Sequence, residues 1–290
     1  MSDLWKFVIL TLTQFMGGPG PRENNLVRFG LPAIMWAVLL AIAWSRQRKA
    51  PLPRERALLW GFGLGFVRET FMFLHVADQV IRQVGGEAAE PCLVQPIEHA
   101  LAMASIIVVI GAFLRYILDD RKVASRYLLV GLGATVAAYG YNFFWWPGFS
   151  AANPDVSFHV TLGGISFHIV TSALILVAIA LMARRRGWLR TVVSLALACY
   201  FLGESITLAN YLTNKAYAVA LCPVANMFHA LAIPMLGVVY FKEQSLEKEE
   251  ADRQLAAYRD HLQELVDART EELTAANAQL QQEIEERRLA

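Results

Sequence analysis

The chain contains seven apolar stretches of about 20 residues, and these constrain its fold more than any other feature. A helix of about 20 residues crosses the roughly 30 Å hydrocarbon core of a bilayer. Apolar residues make up 56% of the chain, more than an ordinary soluble domain contains. The sequence therefore predicts an all-α membrane protein with seven transmembrane helices, over residues 27–45, 57–80, 95–118, 127–146, 158–183, 190–213 and 223–241.

Basic residues in the connectors predict how these helices are oriented. Every second connector is rich in Arg and Lys, whereas the connectors between them hold only Arg82 and Lys215. Because basic loops stay on the cytoplasmic side, the N-terminus is predicted outside and the C-terminus inside. The basic connectors contain Arg46, Arg48, Lys49, Arg54 and Arg56, then Arg115, Arg121, Lys122 and Arg126, then Arg184, Arg185, Arg186 and Arg190.

Residues 1–26 precede the first span and differ from it. The stretch from Leu4 to Met16 is apolar but too short to cross a bilayer, and turn-forming Gly and Pro residues follow at positions 17–21. We expect an interfacial helix on the outer surface; an uncleaved piece of a signal sequence is the alternative. The predicted divisions are this segment, a membrane domain over 27–242 and a cytoplasmic segment over 243–290.

A weak internal duplication relates the two halves of the membrane domain. Cys92 is followed seven residues later by His99-Ala-Leu-Ala, and Cys222 is followed at the same spacing by His229-Ala-Leu-Ala. Because one linker span separates the two triplets, both have the same orientation. The pattern predicts a 3+1+3 parallel repeat about an axis along the membrane normal.

Ionisable residues inside the spans are the candidates for a ligand site. Glu69 and Glu204 lie near the middle of corresponding spans, where a charge costs several kcal/mol unless it is paired or faces a polar cavity. Arg68 adjoins Glu69, and His75 lies six residues further out. The predicted ligand-binding residues are Glu69, Glu204, His99, His229, His75 and Arg68.

The paired Cys and His residues allow several interpretations, which the sequence leaves open. Thiolate and imidazole groups of Cys92, His99, Cys222 and His229 suit Cu(I) or Zn(II). A variant makes His99 and His229 axial ligands of a haem. Alternatively, Cys92 and Cys222 form a disulfide at an oxidising outer face. In the simplest interpretation the histidines form interhelical hydrogen bonds and the cysteines are ordinary.

Four further polar residues fall within or beside the spans. Asn142, Asn210, His159 and His168 are interpreted as hydrogen-bonding to neighbouring helices rather than contacting a ligand. They are therefore left out of the predicted site.

After Phe241 the composition changes to Glu, Gln, Arg, Ala and Leu, with no Gly or Pro through Ala290. Apolar residues recur there at intervals of seven or four, which is typical of a coiled-coil seam. The sequence predicts a cytoplasmic parallel coiled coil and hence a homodimer. The seam consists of Leu255, Leu262, Val266, Leu273, Leu280 and Ile284.

Residues 265–288, which read LVDARTEELTAANAQLQQEIEERR, resemble the signalling-helix linker of bacterial sensor histidine kinases. The same linker precedes PAS and diguanylate cyclase modules. One departure is Ala268-Arg269-Thr270 where the common form has Glu-Arg-Thr. The resemblance implies a receptor of the bacterial inner membrane whose linker passes a displacement to a downstream output domain that is absent from this chain.

No enzymatic motif accompanies this linker. The chain has no phosphoacceptor His box, no Gly-rich ATP-binding motif and no Gly-Gly-Asp-Glu-Phe signature, and it ends inside a helical pattern, which predicts a truncated receptor. We expect a sensor embedded in the lipid bilayer that detects a small ligand, a metal or a redox state from the outer face or from the bilayer, with no nucleic-acid partner. The alternative is a small-solute transporter, because small sugar transporters have similar triple-helix repeats.

Overall fold

A computed structural model describes residues 3–18, 21–49, 53–82 and 92–289. Over those residues the chain forms eight α-helices and one short 3-10 helix, with no strand, and the predicted all-α class is confirmed. The helices are α1 (Asp3–Met16), α2 (Glu23–Lys49), α3 (Pro53–Arg82), α4 (Val94–Leu118), α5 (Arg121–Ala152), the 3-10 helix (Phe158–Val160), α6 (Leu162–Met182), α7 (Trp188–Leu212) and α8 (Ala218–Leu289).

Seven of the described helices are long and apolar enough to cross a bilayer, as predicted. They are α2 to α7 and the segment Ala218–Lys242 of α8, which makes the chain a multi-pass membrane protein. The largest difference from prediction is α5, which has 32 residues. Its start is extended because the Asp120 side chain accepts hydrogen bonds from the backbone N–H groups of Lys122 and Val123, a helix N-cap.

The outer surface of these helices is apolar. On α5, Leu129, Val136 and Phe144 are at least 70% exposed, and α2, α3 and α6 also expose large apolar side chains. Exposing such a surface to water would cost free energy, whereas contact with the hydrocarbon interior of a bilayer would not. α4 is the most buried of the spans and forms the centre of the helix packing.

The chain divides into two compact units, Met1–Val239 and Tyr240–Ala290. Within the first unit α2, α3 and α4 pack in sequence, α4 also packs against α5 and α6, and α6 packs against α7. α8 approaches α7 at Gly203 and α2 at Gly237, where an added Cβ would lie 3.0 Å from Ala225 and from Leu39 respectively. The two triplets therefore surround a common interior. The repeat itself remains a prediction.

α1 packs against α2, burying Ile9 and Thr13 while Leu4 and Phe7 remain exposed. Gly17 and Gly18 then turn the chain with φ angles of 67° and 140°, a left-handed conformation that favours glycine. Pro19 and Gly20 of the predicted turn, and residues 1 and 2, lie outside the described residues. An interfacial location for α1 remains a prediction.

In the second unit, α8 continues to Leu289, and its described side chains from Phe241 onward are exposed, whereas Tyr240 is buried. The six seam residues are between 43% and 67% exposed in this single chain. The parallel coiled coil remains a prediction.

Candidate functional site

The first unit encloses a cavity of about 630 Å³, a volume typical of small-molecule sites. Its wall comes from both triplets, α2 to α4 and α6 to α8, and from three connectors, which precede α2, α6 and α8; no described lining residue lies on α5. Arg22, Gln79 and Lys215 mark its rim at the end of the bundle where α2, α4, α6 and α8 begin. We call this the predicted outer end, and the cavity extends inward to Trp36 and Ile233.

Three charged residues form the first cluster in the wall, the Arg68 cluster. Arg68 Nη1 donates to Glu69 Oε1 and Arg68 Nη2 donates to Glu98 Oε1, both at 2.5 Å. Both glutamates are buried. Because Arg68 and Glu69 are on α3 and Glu98 is on α4, the cluster joins two adjacent helices with one guanidinium and two carboxylates.

The second cluster, the Glu204 cluster, joins three helices. His168 Nδ1 of α6 donates to Glu204 Oε2 of α7 at 2.6 Å, and His229 Nε2 of α8 lies 3.3 Å from Glu204 Oε1 without hydrogen-bond geometry. The His229 ring also packs on Tyr200, with centroids 4.6 Å apart. Gly203 makes room for this ring, because an added Cβ would lie 2.5 Å from His229 Cδ2.

A histidine pair lies between the clusters. His99 Nε2 is 3.0 Å from His159 Nδ1, and the His99 ring meets His168 edge to face at 5.1 Å. His159 is on the 3-10 helix, outside the spans, and its ring stacks on Tyr211. Burial, reinforced by the positive charge of Lys215, lowers the pKa of His159 to about 3. His159 is therefore neutral at physiological pH.

Arg28 lies in the cavity wall near the rim. Its guanidinium carbon is 4.7 Å from the centroid of the Phe29 ring, which the Arg68 guanidinium also approaches, at 5.4 Å. Arg28 makes no hydrogen bond or ion pair with any residue that the structure describes. The neighbouring cations differ, since Arg22 donates to Gln79 and Lys215 donates to Ser157.

All six predicted ligand-binding residues line this cavity. The structure brings Arg68 together with Glu69, and Glu204 together with His229. His75 lies further out, where it accepts a hydrogen bond from Gln79 at 2.9 Å. His99 is not paired with its repeat counterpart His229 but with His159.

The four predicted metal ligands are not gathered. Cys92 is exposed, and the Cys222 thiol accepts a hydrogen bond from Asn210 Nδ2 at 3.4 Å. The Nε2 atoms of His99 and His229 face His159 and Glu204 instead of a shared ion or haem. Among the described residues no group of three or more His, Cys, Asp or Glu side chains could hold a metal, so the geometry gives the metal and haem hypotheses no support.

The predicted disulfide is not formed in the structure, where all three cysteines are free thiols. Cys92 precedes α4 and is exposed, whereas Cys222 lies in the cavity wall against Asn210. The two sulfurs therefore have different surroundings, and a redox role of this pair has no structural support.

The four polar residues interpreted as structural each form a hydrogen bond to a neighbouring element, as expected. Asn142 bonds to the Gly163 carbonyl of α6, His159 to His99, His168 to Glu204 and Asn210 to Cys222. Three of them, His159, His168 and Asn210, also line the cavity, although they were left out of the predicted site. Glu98 and Arg28 were also missed. Each of the missed side chains except His159 lies within an apolar span, so the rule that selected Glu69 and Glu204 applied to them as well.

The carboxylates of the described wall are engaged by Arg68 and by histidines, and no Ser or Thr hydroxyl or thiol there is hydrogen-bonded to a histidine. Comparison of the chain with protein-family models, with curated proteins and with solved structures finds no match.

Proposed function

We propose that the chain is the sensing and signal-relay part of a dimeric membrane receptor of the histidine-kinase type. One observation carries the proposal: the helix that forms part of the cavity wall is also the helix that bears the signalling-linker sequence. α8 runs from Ala218 to Leu289. Its cavity-lining residues are Ala218, Leu221, Cys222, Ala225, Asn226, His229, Ala230 and Ile233.

Two contacts give a bound ligand a means of acting on α8. His229 lies against Glu204 of α7, and Asn226 Nδ2 donates to the Met16 carbonyl at the end of α1, at 2.8 Å. A ligand shifts a conformational equilibrium only if it binds the two packings with different affinity. A nearly complete switch requires a preference of about 10⁴-fold. Displacing His229 and Asn226 would contribute part of that difference.

The cytoplasmic part of α8 supports a dimeric output. Its apolar seam is exposed in the single chain, and a second copy would bury it in a parallel coiled coil. The resemblance of residues 265–288 to signalling-helix linkers adds a direction of transmission, from the membrane to a downstream output domain in the cytoplasm of a bacterium.

The proposal is tested by asking whether a change in the cavity alters the coil. A photo-crosslinking residue replaces Leu262 in the full chain in lipid nanodiscs, and the yield of crosslinked dimer is measured. We expect Glu204→Gln to change that yield at least about twofold, because it removes the carboxylate that joins α8 to its neighbours. Asp78→Asn, which breaks an exposed ion pair outside the cavity wall, is the matched control and should leave the yield unchanged.

Absence of any crosslinked dimer, or equal yields in wild type and Glu204→Gln, would rule out the relay. The competing function is transport, which the position of the cavity between two helix triplets favours. Uptake of a bound solute into proteoliposomes, together with an unresponsive coil, would establish the transporter instead.

A further inference from the structure

We infer that the cavity binds a small organic carboxylate that also bears a hydroxyl or amino group, with Arg28 as the residue that holds the carboxylate. This inference deepens the proposed function, because it assigns a ligand class to the proposed sensing site. It rests on two observations: which charged side chains of the cavity wall already form ion pairs, and which buried polar atoms lack a hydrogen-bond partner.

The three carboxylates of the described wall are already engaged. Glu69 and Glu98 share the Arg68 guanidinium, and Glu204 lies between His168 and His229. A cationic ligand would therefore compete with side chains that are in place. The cavity wall therefore has few carboxylate oxygens available to bind an amine, although it contains three glutamates.

Arg28 is in the opposite situation. It makes no hydrogen bond and no ion pair with a described residue, although it lines a cavity inside an apolar bundle. Glu69 and Glu98 interact with it electrostatically but are themselves hydrogen-bonded to Arg68. A charge in such surroundings is stabilised most by a directly bonded partner of opposite sign, and an anion entering the cavity would supply one.

The placement of the Arg28 guanidinium also suits a carboxylate. It lies against the ring of Phe29, a residue that is only 3% exposed, so a fixed surface supports it. Contact with a ring does not use the N–H donors of a guanidinium, and these form the planar fork that matches the two oxygens of a carboxylate.

A second observation points to a ligand independently of Arg28. His168 is nine-tenths buried in the cavity wall, and its Nε2 atom has no hydrogen-bond partner in the described structure although Nδ1 is bonded to Glu204. Asn210 Oδ1 is likewise buried without a partner. Buried polar atoms are normally satisfied, so a hydroxyl or amino group on the ligand would complete these sites. Both atoms belong to residues that line the cavity.

The test measures binding to the full chain in nanodiscs through the shift in thermal midpoint. The probes are L-lactate, L-malate and L-glutamate, with inorganic phosphate and choline as counter-probes. We expect at least one carboxylate to bind and to bind about tenfold or more weakly to Arg28→Gln, the loss typical of a charged hydrogen bond. The affinity of Arg28→Lys should lie between those of wild type and Arg28→Gln, because lysine keeps the charge but lacks the planar fork of N–H donors. Arg82→Gln, at an exposed arginine outside the wall, is the matched control.

Three results would overturn the inference: no binding of any of the three carboxylates at 10 mM, roughly the weakest affinity range of interest; equal affinity of wild type and Arg28→Gln; or binding of phosphate or choline alone. If Arg28→Gln does not fold, the comparison of wild type with Arg28→Lys decides.

Failure of this inference is distinguishable from failure of the receptor proposal. The Leu262 crosslink is measured with each probe. Arg28-dependent carboxylate binding with an unchanged crosslink supports the ligand class and contradicts the relay. A crosslink yield that changes with choline and not with carboxylates supports the relay and contradicts the ligand class.

Discussion

Two groups of buried carboxylates face one cavity, and their partners are of different kinds. In the Arg68 cluster the partner is a guanidinium, which keeps its charge at every physiological pH. In the Glu204 cluster the partners are the imidazole rings of His168 and His229. The first arrangement contains a permanent cation with a planar set of N–H donors, whereas the second is built from two aromatic rings on different helices.

The two clusters also differ in what they connect. The Arg68 cluster joins α3 to α4, which are neighbours in sequence and pack extensively. The Glu204 cluster joins α6, α7 and α8, and α8 is the helix that continues through residues 265–288. The comparison teaches that one bundle can join neighbouring helices by a guanidinium shared between two carboxylates and another set of helices by imidazole–carboxylate contacts.

The largest effect is expected from Arg68→Met. It leaves Glu69 and Glu98 buried without their shared cation, and breaking a buried ion pair costs about 3–5 kcal/mol. The free energy of unfolding, measured by denaturant titration in mixed micelles, should fall by that amount. The triple variant Arg68→Met, Glu69→Gln and Glu98→Gln should recover most of the loss because it buries no unpaired charge.

Two variants set the scale for this measurement. Arg82→Met breaks an exposed ion pair with Asp78, worth about 0–1 kcal/mol. Glu204→Gln should cost less than Arg68→Met, since it leaves no carboxylate buried without a partner and the amide oxygen can still accept a hydrogen bond from His168. If Glu204→Gln is as destabilising as Arg68→Met, this distinction between the two clusters is wrong.

Gly203→Ala disturbs the Glu204 cluster alone and should have the next largest effect. The new Cβ would lie 2.5 Å from His229 Cδ2 and 3.0 Å from the Ala225 carbonyl, so α7 and α8 must separate. Overpacking of this kind costs about 1–3 kcal/mol. The measurement is the thermal midpoint in nanodiscs.

Gly133→Ala is the matched control for that variant. No atom lies within 4 Å of a Cβ placed at Gly133 on α5, and alanine is the better helix former there. We expect stability to be unchanged or to rise by up to about 1 kcal/mol. Equal destabilisation by both substitutions would contradict close packing at Gly203.

The seven spans were predictable because bilayer length and hydropathy are local properties of the sequence. Their ends were less so: α5 begins at Arg121 because Asp120 caps it, and a cap depends on backbone geometry that hydropathy does not report. The coil's dimeric state and the repeat stay predictions, since both depend on partners or correspondences that a single chain does not test.

The site was predicted unevenly. Glu69, Glu204 and Arg68 were found because charges inside spans are costly and rare. His168 and Glu98 obey the same rule, but His168 was interpreted as an interhelical hydrogen-bonding residue, and Glu98 has no counterpart in the repeat, where Phe228 stands. The repeat also suggested that His99 and His229 act together, whereas His99 pairs with His159, which the structure places in a 3-10 helix before α6 although the predicted span 158–183 included it.

The histidine pair between the clusters should make stability depend on pH. Burial and Lys215 lower the pKa of His159 from 6.5 to about 3, so below pH 6.5 the unfolded chain binds a proton that the folded chain does not. Stability contributed by neutral His159 is therefore complete above pH 6.5 and is lost as pH falls toward 3. We expect a loss of about 1 kcal/mol at pH 5, allowing for partial exposure of the ring.

Thermal midpoints between pH 7.5 and 4.5 measure this loss, and His159→Asn should flatten the profile. His261→Asn, at an exposed histidine in the second unit, is the control and should leave the profile unchanged. A profile as steep in His159→Asn as in wild type would assign the pH dependence to other groups.

The smallest effect concerns the other contact of α8 in the cavity wall. Asn226→Ala removes the hydrogen bond to the Met16 carbonyl and should cost about 0.5–1 kcal/mol, because water can replace a partner at the partly buried end of α1. Hydrogen exchange should quicken in α1 and leave the Arg68 cluster unaffected, since α3 and α4 make their own ion pairs. Faster hydrogen exchange in α3 and α4 as well would show that the Arg68 cluster depends on α8. The two clusters would then not be independent of each other.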